Sequence, residues 1–187
     1  RLIRDLCNSN TYQRSSQPND SNRDDTRNFA RCVPRRLPAS TLLDCLGQVT
    51  GSPGKLPGVP LGASANRIAD GRARHYFLDT FGRARRDSVC ACESDTQPTL
   101  SQALHLINGA ATNNKIQGGG LVKHWLAEGA TPEEVIERVY LRCLTRRPTP
   151  EERDGYAGLI AGAEAPRQAL EDVFWAVLNS REFLFNH

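Results

Sequence analysis

The residues best suited to chemistry lie in a short cysteine-containing segment near the middle of the chain. Cys90 and Cys92 are followed directly by Glu93, and His105 lies on the next predicted helix. Thiolate, carboxylate and imidazole are ligands that zinc accepts, so this set predicts a site for zinc or another transition metal. The Cys-x-Cys spacing differs from the Cys-x-x-Cys of zinc ribbons, and no second cysteine pair follows. Disulfides to distant cysteines are therefore the favoured interpretation, ahead of inert thiols and of the metal site, and a redox pair is a further alternative.

Cysteine usage over the whole chain bears on the cellular compartment. The six cysteines are Cys7, Cys32, Cys45, Cys90, Cys92 and Cys143. An even number is compatible with disulfides in an oxidising compartment. Cys45 and Cys143 fall at apolar positions of predicted helices, where a free thiol behaves as a small core residue.

A cluster of arginines forms a second candidate site. A guanidinium group binds a carboxylate or sulfate through two parallel hydrogen bonds, so the expected ligand is an anionic glycan. The members of the cluster are Arg72, Arg74, Arg83, Arg85 and Arg86, and the pair Arg35-Arg36 is a further candidate for the same ligand. The alternative is structural, because Asp79 and Asp87 are close enough in sequence to pair with these side chains.

The charge is unevenly distributed along the chain. Residues 1–90 carry 15 basic and 8 acidic side chains, and residues 91–187 carry 9 basic and 13 acidic ones. The resulting net charges of +7 and −4 indicate either a polyanion-binding half or opposite charges that face each other within one fold. Nucleic acid is not expected as a partner, because no aromatic platform interleaves the arginines.

The common catalytic motifs are absent from the sequence. Residues 51–56 resemble a phosphate-binding loop, but the Walker pattern needs Ser or Thr after Lys55. The three glycines at 118–120 follow no predicted strand, so they are no dinucleotide fingerprint. There is no Gly-x-Ser-x-Gly elbow, no His-Glu-x-x-His and no Cys-x-x-Cys-His haem site. Apart from the metal candidate, no cofactor is predicted.

The elements that would position these residues are mainly helices. Thr131-Pro132-Glu133-Glu134 and Thr149-Pro150-Glu151-Glu152 each combine an N-cap, a proline at the first helical position and a capping-box glutamate. Apolar residues at helical spacing follow both, including Val139 and Tyr140 in the first helix, and Leu159 and Ile160 in the second. A third helix begins near Pro166. Three such helices with short connections predict an antiparallel bundle.

Upstream helices are shorter and more widely separated. They are predicted around Leu2–Leu6, Leu42–Val49, Leu100–Ile107 and Leu121–Leu126, and no strand pair is predicted. Between them lie the polar segment 13–28 and segment 51–75, which contains five glycines and three prolines. The fold class is therefore mainly α, with a C-terminal antiparallel helical bundle and long irregular loops in the N-terminal half.

We expect residues 1–187 to form a single helical domain, with a loop-rich basic half (1–96) and a helical-bundle half (97–187). No apolar run approaches the roughly 20 residues that a membrane-spanning helix needs. The N-terminus is not a signal peptide, and the sequence contains no Met. We therefore expect a C-terminal fragment of a larger protein.

Several blocks, in this order, resemble a family of unknown function from large secreted planctomycete proteins. The N-terminal blocks are Arg1–Ile3, Thr11–Ser16, Pro34–Leu37 and Leu42–Asp44. The later ones are Phe77–Arg83, Cys90–Glu93, Leu100–Gly109, Tyr140–Leu141, Arg147–Thr149 and Asn179–His187. The family pattern tends to have arginine after the Cys-x-Cys-Glu, whereas Ser94 stands there in this chain.

The resemblance implies the C-terminal module of an exported, extracytoplasmic protein. Its implied partners are the N-terminal domains of the same polypeptide, among them a second family-specific domain and often a cytochrome c-like domain. We therefore expect a non-catalytic accessory or scaffold domain that positions a partner domain or binds an extracellular ligand. The alternatives are a metal-binding or redox module that uses the Cys-x-Cys-Glu segment, and an anionic glycan-binding module.

Overall fold

The computed structural model describes residues 1–25, 27–28, 30–85, 99–102 and 110–186. Helices dominate these residues, which confirms the prediction of a mainly α protein. The chain divides into two compact units: an N-terminal unit of residues 1–36 and 185–187, and a helical unit of residues 37–184. In the described ranges, no helix combines the length and hydropathy that a bilayer crossing requires.

The N-terminal unit contains one helix and one very small sheet. Helix α1 (Leu2–Cys7) buries none of its residues. Strand β1 (Arg35–Arg36) pairs antiparallel with β2 (Phe185–Asn186), with Arg35 opposite Asn186 and Arg36 opposite Phe185. The sequence predicted no strand pair, because two-residue strands are too short to show a period-2 pattern.

The polar segment of the N-terminal unit is organised by side chains that accept backbone hydrogen bonds. The side-chain oxygen of Asn19 accepts hydrogen bonds from the backbone N–H groups of Ser21 and Asn22. The Asp25 carboxylate accepts hydrogen bonds from the backbone N–H groups of residues 27, 28 and 30. These bonds lower the pKa of Asp25, and the bond from Asn28 has the largest effect. The Cys32 N–H donates to the Ser15 carbonyl at 3.1 Å and thereby closes the segment. Such local bonds give a polar chain a defined path without an apolar core.

The helical unit contains the remaining elements. They are α2 (Ala39–Thr50), a 3₁₀ turn (Ala65–Arg67), α3 (Tyr76–Thr80), α4 (Ala110–Gly119), α5 (Leu121–Ala127), α6 (Pro132–Leu144), α7 (Pro150–Ala161), α8 (Pro166–Leu178) and α9 (Arg181–Leu184). The sequence predicted α2 and α5 to α8 but neither α3 nor α4. The helix predicted from Leu100 lies largely outside the described residues.

The two capping boxes predicted from the sequence are both present. The Thr131 hydroxyl accepts from the Glu134 N–H, and the Glu134 carboxylate accepts from the Thr131 N–H. Thr149 and Glu152 make the same reciprocal pair at the start of α7. Each box satisfies two polar groups that a helix terminus would otherwise leave without partners.

The core of the helical unit lies around α8. This helix packs against α4, α5, α6, α7 and α9. Its Leu170, Phe174 and Leu178 are fully buried. On α7, Ile160 is buried but Leu159 is 60% exposed, so the expectation that both face the core was wrong for Leu159. Adjacent residues of a helix point about 100° apart, so when the Ile160 side chain faces the core, that of Leu159 can face the solvent.

Several elements converge on the C-terminal end of α2. Gly51 ends the helix in the left-handed region at φ +69°, and its N–H donates to the Gln48 carbonyl. Arg142, on α6, donates from Nε to the Val49 carbonyl at 2.6 Å and from Nη2 to the Gln48 carbonyl at 2.8 Å. The positive side chain also opposes the negative end of the helix dipole.

The backbone of the last turn of α4 lies close to the backbone at the C-terminal end of α2. A Cβ added to Gly119 would overlap the Thr50 carbonyl oxygen and lie 2.9 Å from its carbonyl carbon. Lys115, one turn earlier, donates to the Ser52 carbonyl at 2.9 Å. The absence of a side chain at position 119 therefore allows α4 to pack against α2.

We expect Gly119→Ala to lower the free energy of unfolding by about 1–3 kcal/mol, because the added methyl group forces the two backbones apart. Gly158→Ala on α7 is the matched control, since a Cβ there would meet no atom within 4 Å. The control variant is expected to gain about 0.5–1 kcal/mol from its helix propensity. Urea unfolding followed by circular dichroism measures both values. A Gly119→Ala variant as stable as the control would contradict the close approach.

Candidate functional site

The residues of the predicted metal site lie outside the described part of the chain. Cys90, Cys92, Glu93 and His105 fall in the segments 86–98 and 103–109. Elsewhere, within the described ranges, no group of three or more His, Cys, Asp or Glu side chains is arranged to hold a metal ion. The zinc or transition-metal site therefore stays a prediction.

The four described cysteines are free thiols. Cys7 is exposed, and Cys32, Cys45 and Cys143 are half-buried. Burial raises the pKa of Cys143 to about 12, and it also raises that of Cys45. Both thiols are therefore protonated near neutral pH and are poor nucleophiles.

Of the predicted anion-binding arginines, Arg72, Arg74 and Arg85 are exposed, whereas Arg86 lies outside the described residues. The Arg83 side chain is only 10% exposed. Its Nη2 donates to the carbonyl oxygens of Gly71 and Ala73, and it lies 3.8 Å from the Asp79 carboxylate. The described contacts of Arg83 hold a loop to α3, which agrees with the structural alternative for this residue.

His75 caps α3 beside Arg83. Its Nδ1 accepts from the Leu78 N–H at 3.4 Å, and its own backbone N–H donates to Asp79 at 3.2 Å. Burial lowers the His75 pKa, as do the charges of Arg83 and Lys115, whereas the Asp79 charge raises it. The lowered pKa favours the neutral imidazole, which is the form that can accept the capping hydrogen bond.

The most connected polar side chain in the helical unit is Arg146, in the turn between α6 and α7. It donates to both oxygens of Glu182, at 2.6 and 2.7 Å, and to both oxygens of Glu152, at 2.8 and 3.0 Å. A fifth bond, to the Arg147 carbonyl at 3.1 Å, uses its last donor. The Tyr140 ring lies 5.2 Å from the guanidinium carbon. Arg146 thus fastens α9 to the start of α7 and has no donor left for a ligand.

A cleft of about 590 Å³ lies beside α2, under the loop that follows it. Its lining is rich in glycine and proline and includes Asp44 and Ser64. The two Asp44 oxygens accept from the Ser64 hydroxyl at 2.5 Å and from the Ala65 N–H at 2.8 Å. This carboxylate is therefore engaged in holding the 3₁₀ turn in place.

A larger cleft, of about 760 Å³, lies in the N-terminal unit. Three arginines line it: Arg14, Arg31 and Arg35. No acidic side chain lines this arginine cleft in the part of the chain that the structure describes. Its volume is in the range of small-molecule and oligosaccharide sites.

Two guanidinium groups of the arginine cleft differ from the bonded ones of Arg83 and Arg146 in the helical unit. The Arg31 Nε is buried and lacks a hydrogen-bond partner among the described residues. Arg35 donates its backbone N–H to the Asn186 side chain at 2.7 Å. In residues 1–25, 27–28, 30–85, 99–102 and 110–186, neither Arg31 nor Arg35 forms a side-chain hydrogen bond or ion pair. A buried donor without a protein partner is a group that a bound anion can satisfy.

The rest of the arginine cleft is mixed in character. Ser9, Thr11 and Tyr12 contribute hydroxyl groups, and Leu6 and Val33 contribute apolar surface. The Tyr12 side chain is exposed, at 69% for the residue. The sequence predicted Arg35 as an anion-binding candidate but not the cleft as a whole, because its members are spread over residues 6–35 and 186. The one available signal was the excess of eight arginines over four aspartates in residues 1–36.

Fold and cleft together define a mainly helical protein with an arginine-lined cleft in its N-terminal unit. The chain belongs to the family PSD1, described as "Protein of unknown function (DUF1553)", whose model matches residues 1–160. The expected membership of a family of unknown function is thereby confirmed. The block from Asn179, which contributed to the resemblance, lies beyond the matched residues. No curated protein and no solved structure matches the chain significantly.

We expect Arg146→Gln to lower the free energy of unfolding at pH 7 by about 1–3 kcal/mol, because it removes the cation that both Glu152 and Glu182 bind. The lower part of this range is favoured, since Glu152 and Glu182 are each 31% exposed. Arg153→Gln is the matched control, because its pair with Asp154 is largely exposed. That variant is expected to change stability by less than about 0.5 kcal/mol.

The difference in the free energy of unfolding between wild type and Arg146→Gln should depend on pH. The Arg146 hydrogen bonds lower the pKa of Glu152 from 4.5 to about 2. The pair therefore stabilises the fold fully above pH 4.5, and this contribution disappears as the pH falls toward 2. Urea unfolding at pH 7 and pH 3 measures the effect. If the difference in the free energy of unfolding is the same at pH 3 as at pH 7, or larger, this prediction is wrong.

Proposed function

We propose that this chain is a non-catalytic accessory module that binds a ligand or a partner domain through its N-terminal unit. The observation that carries the proposal is the contrast between its arginines. Arg142 and Arg146 are bonded to groups of the helical unit. Arg31 and Arg35, in contrast, line an open cleft without a side-chain partner among the described residues.

The polar groups of the helical unit support the same proposal. Asp44 caps a turn, His75 caps a helix, and Arg83 holds a loop. A nucleophile, a general base and an orienting group within hydrogen-bond reach would be the mark of acyl-transfer or hydrolytic catalysis. Each of these three groups instead has a contact that explains it structurally.

The wider context of the proposal rests on the resemblance of the sequence. In that context the module belongs to an exported planctomycete-type protein and works outside the cytoplasm. Its partners are the N-terminal domains of the same polypeptide, among them a cytochrome c-like domain. A scaffold role fits the capping boxes of α6 and α7 and the Arg146 bonds between α7 and α9, because these contacts hold the module together without a ligand.

The competing proposal is a metal-binding or redox module that uses Cys90, Cys92, Glu93 and His105. It is supported by the Cys-x-Cys-Glu sequence, which offers two thiolates and a carboxylate within four residues. The two proposals differ in what the purified protein should contain, because only the second requires a bound metal or a reactive cysteine pair.

We expect native mass spectrometry of the chain, purified from an oxidising compartment without chelator or reductant, to show no metal adduct. Unfolded, alkylated protein measured in parallel gives the number of oxidised cysteines. Cys92→Ser is expected to leave the mass otherwise unchanged and the helical circular-dichroism signal intact. An excess mass equal to one transition-metal ion, lost in Cys92→Ser, would contradict the accessory role and favour the metal-binding module.

A further inference from the structure

We propose that the arginine cleft of the N-terminal unit is a binding site for an anionic oligosaccharide that carries carboxylate or sulfate groups. This inference rests on the proposed accessory role and gives its ligand a chemical class. It also places the glycan site at Arg14, Arg31 and Arg35 instead of in the segment around residues 72–86.

The charge of the cleft requires a ligand with more than one negative group. Arg31 and Arg35, whose side chains form no ion pair among the described residues, line one cleft together with Arg14, and no carboxylate of the described residues lines it. Residues 1–36 carry eight arginines, the three of the cleft included, and four aspartates, so this stretch as a whole has a net positive charge of four. A single small anion would neutralise one guanidinium and leave the others in mutual repulsion.

The Arg31 Nε makes the cleft a specific site and not only a basic surface. It is buried and has no hydrogen-bond partner in the described part of the chain. A buried donor of this kind costs free energy in the empty protein. Arg31 lines the cleft and forms no side-chain hydrogen bond or ion pair among the described residues, so an anion bound there does not compete with a protein partner for its guanidinium group. Arginine also presents two parallel donors that match the geometry of carboxylate and sulfate oxygens.

The other lining groups distinguish a saccharide from other polyanions. Thr11 and Tyr12 line the same cleft and carry hydroxyl groups of the kind that sugar hydroxyls bind, whereas the Ser9 hydroxyl donates to the Leu6 carbonyl and accepts from the Tyr12 N–H. The Tyr12 ring is exposed and gives a flat apolar surface for the C–H face of a sugar ring. Single-stranded nucleic acid would need a series of aromatic rings for successive bases, and the cleft contributes one.

The probes are polygalacturonate, which carries carboxylates, and dextran sulfate, with neutral dextran as the uncharged polymer. Binding to the complete chain is measured by calorimetry at low and at physiological ionic strength. We expect the protein to bind at least one charged polymer and not dextran, with weaker binding at higher salt.

The decisive variant is Arg31→Gln combined with Arg35→Gln. In the described residues these side chains form no hydrogen bond or ion pair, so we expect the circular-dichroism spectrum to stay unchanged. We expect the affinity for the charged polymer to fall at least about tenfold, since one hydrogen bond to a charged group contributes on the order of one decade. The matched control is Arg74→Gln combined with Arg85→Gln, which removes the same charge from exposed positions outside the cleft.

Retention of full affinity in the control together with the loss in the cleft variant supports the proposal. Equal losses in both variants would reduce the effect to net charge and overturn it. A loss confined to the control would move the site to the segment around residues 72–86. Absence of binding to either charged polymer would also overturn it.

Poly-L-glutamate and single-stranded DNA serve as competitors from two other classes of polyanion. If either displaces the saccharide with equal or higher affinity, and loses that affinity in the cleft variant, the assignment to a saccharide is wrong. These outcomes are separate from the metal content that tests the accessory role. If the protein has no metal adduct and binds no glycan, the proposed accessory role stands and only the assignment of this ligand is wrong.

Discussion

The C-terminal end of α2 is the point on which the packing of the helical unit depends. The last carbonyl groups of a helix have no partner within it and must find one elsewhere. Here the Gly51 N–H and the Arg142 side chain, from α6, supply those partners. Gly119 lets α4 approach at the same place, because even a methyl group would overlap the Thr50 carbonyl. One helix end thus fixes the positions of two other helices.

The same principle explains how the protein uses its positive charge. In the helical unit, arginines donate to backbone carbonyls and to carboxylates: Arg83 to a loop, Arg142 to a helix end, and Arg146 to two glutamates. These side chains have an internal function, and an arginine-rich sequence is therefore a poor indicator of a binding site. The N-terminal unit differs, because its cleft brings together Arg31 and Arg35, whose side chains form no hydrogen bond or ion pair among the described residues.

Local sequence signals predicted the elements that depend on neighbouring residues. The two capping boxes and the apolar spacing of α6 and α8 follow from contacts within a few residues, and the structure contains them. Helix α4 was missed, because Asn113, Asn114 and two glycines give it weak propensity and little amphipathic character. This helix forms because Ile116 is buried in the core and because Gly119, which has no side chain, allows close packing against α2. Tertiary contacts thus override the weak helix propensity of the segment.

The sequence by itself determined the helical class, the helix starts of the C-terminal third and the positive charge of the first half. The family followed from ordered blocks of residues, and it was confirmed for residues 1–160. Only the tertiary structure decided which arginines are engaged, since Arg142 finds its acceptors 93 and 94 residues away in the chain. It likewise assembled the arginine cleft from residues 6–35 and 186. Long-range partners of this kind leave no local pattern, because a side chain is satisfied by whatever the fold places beside it.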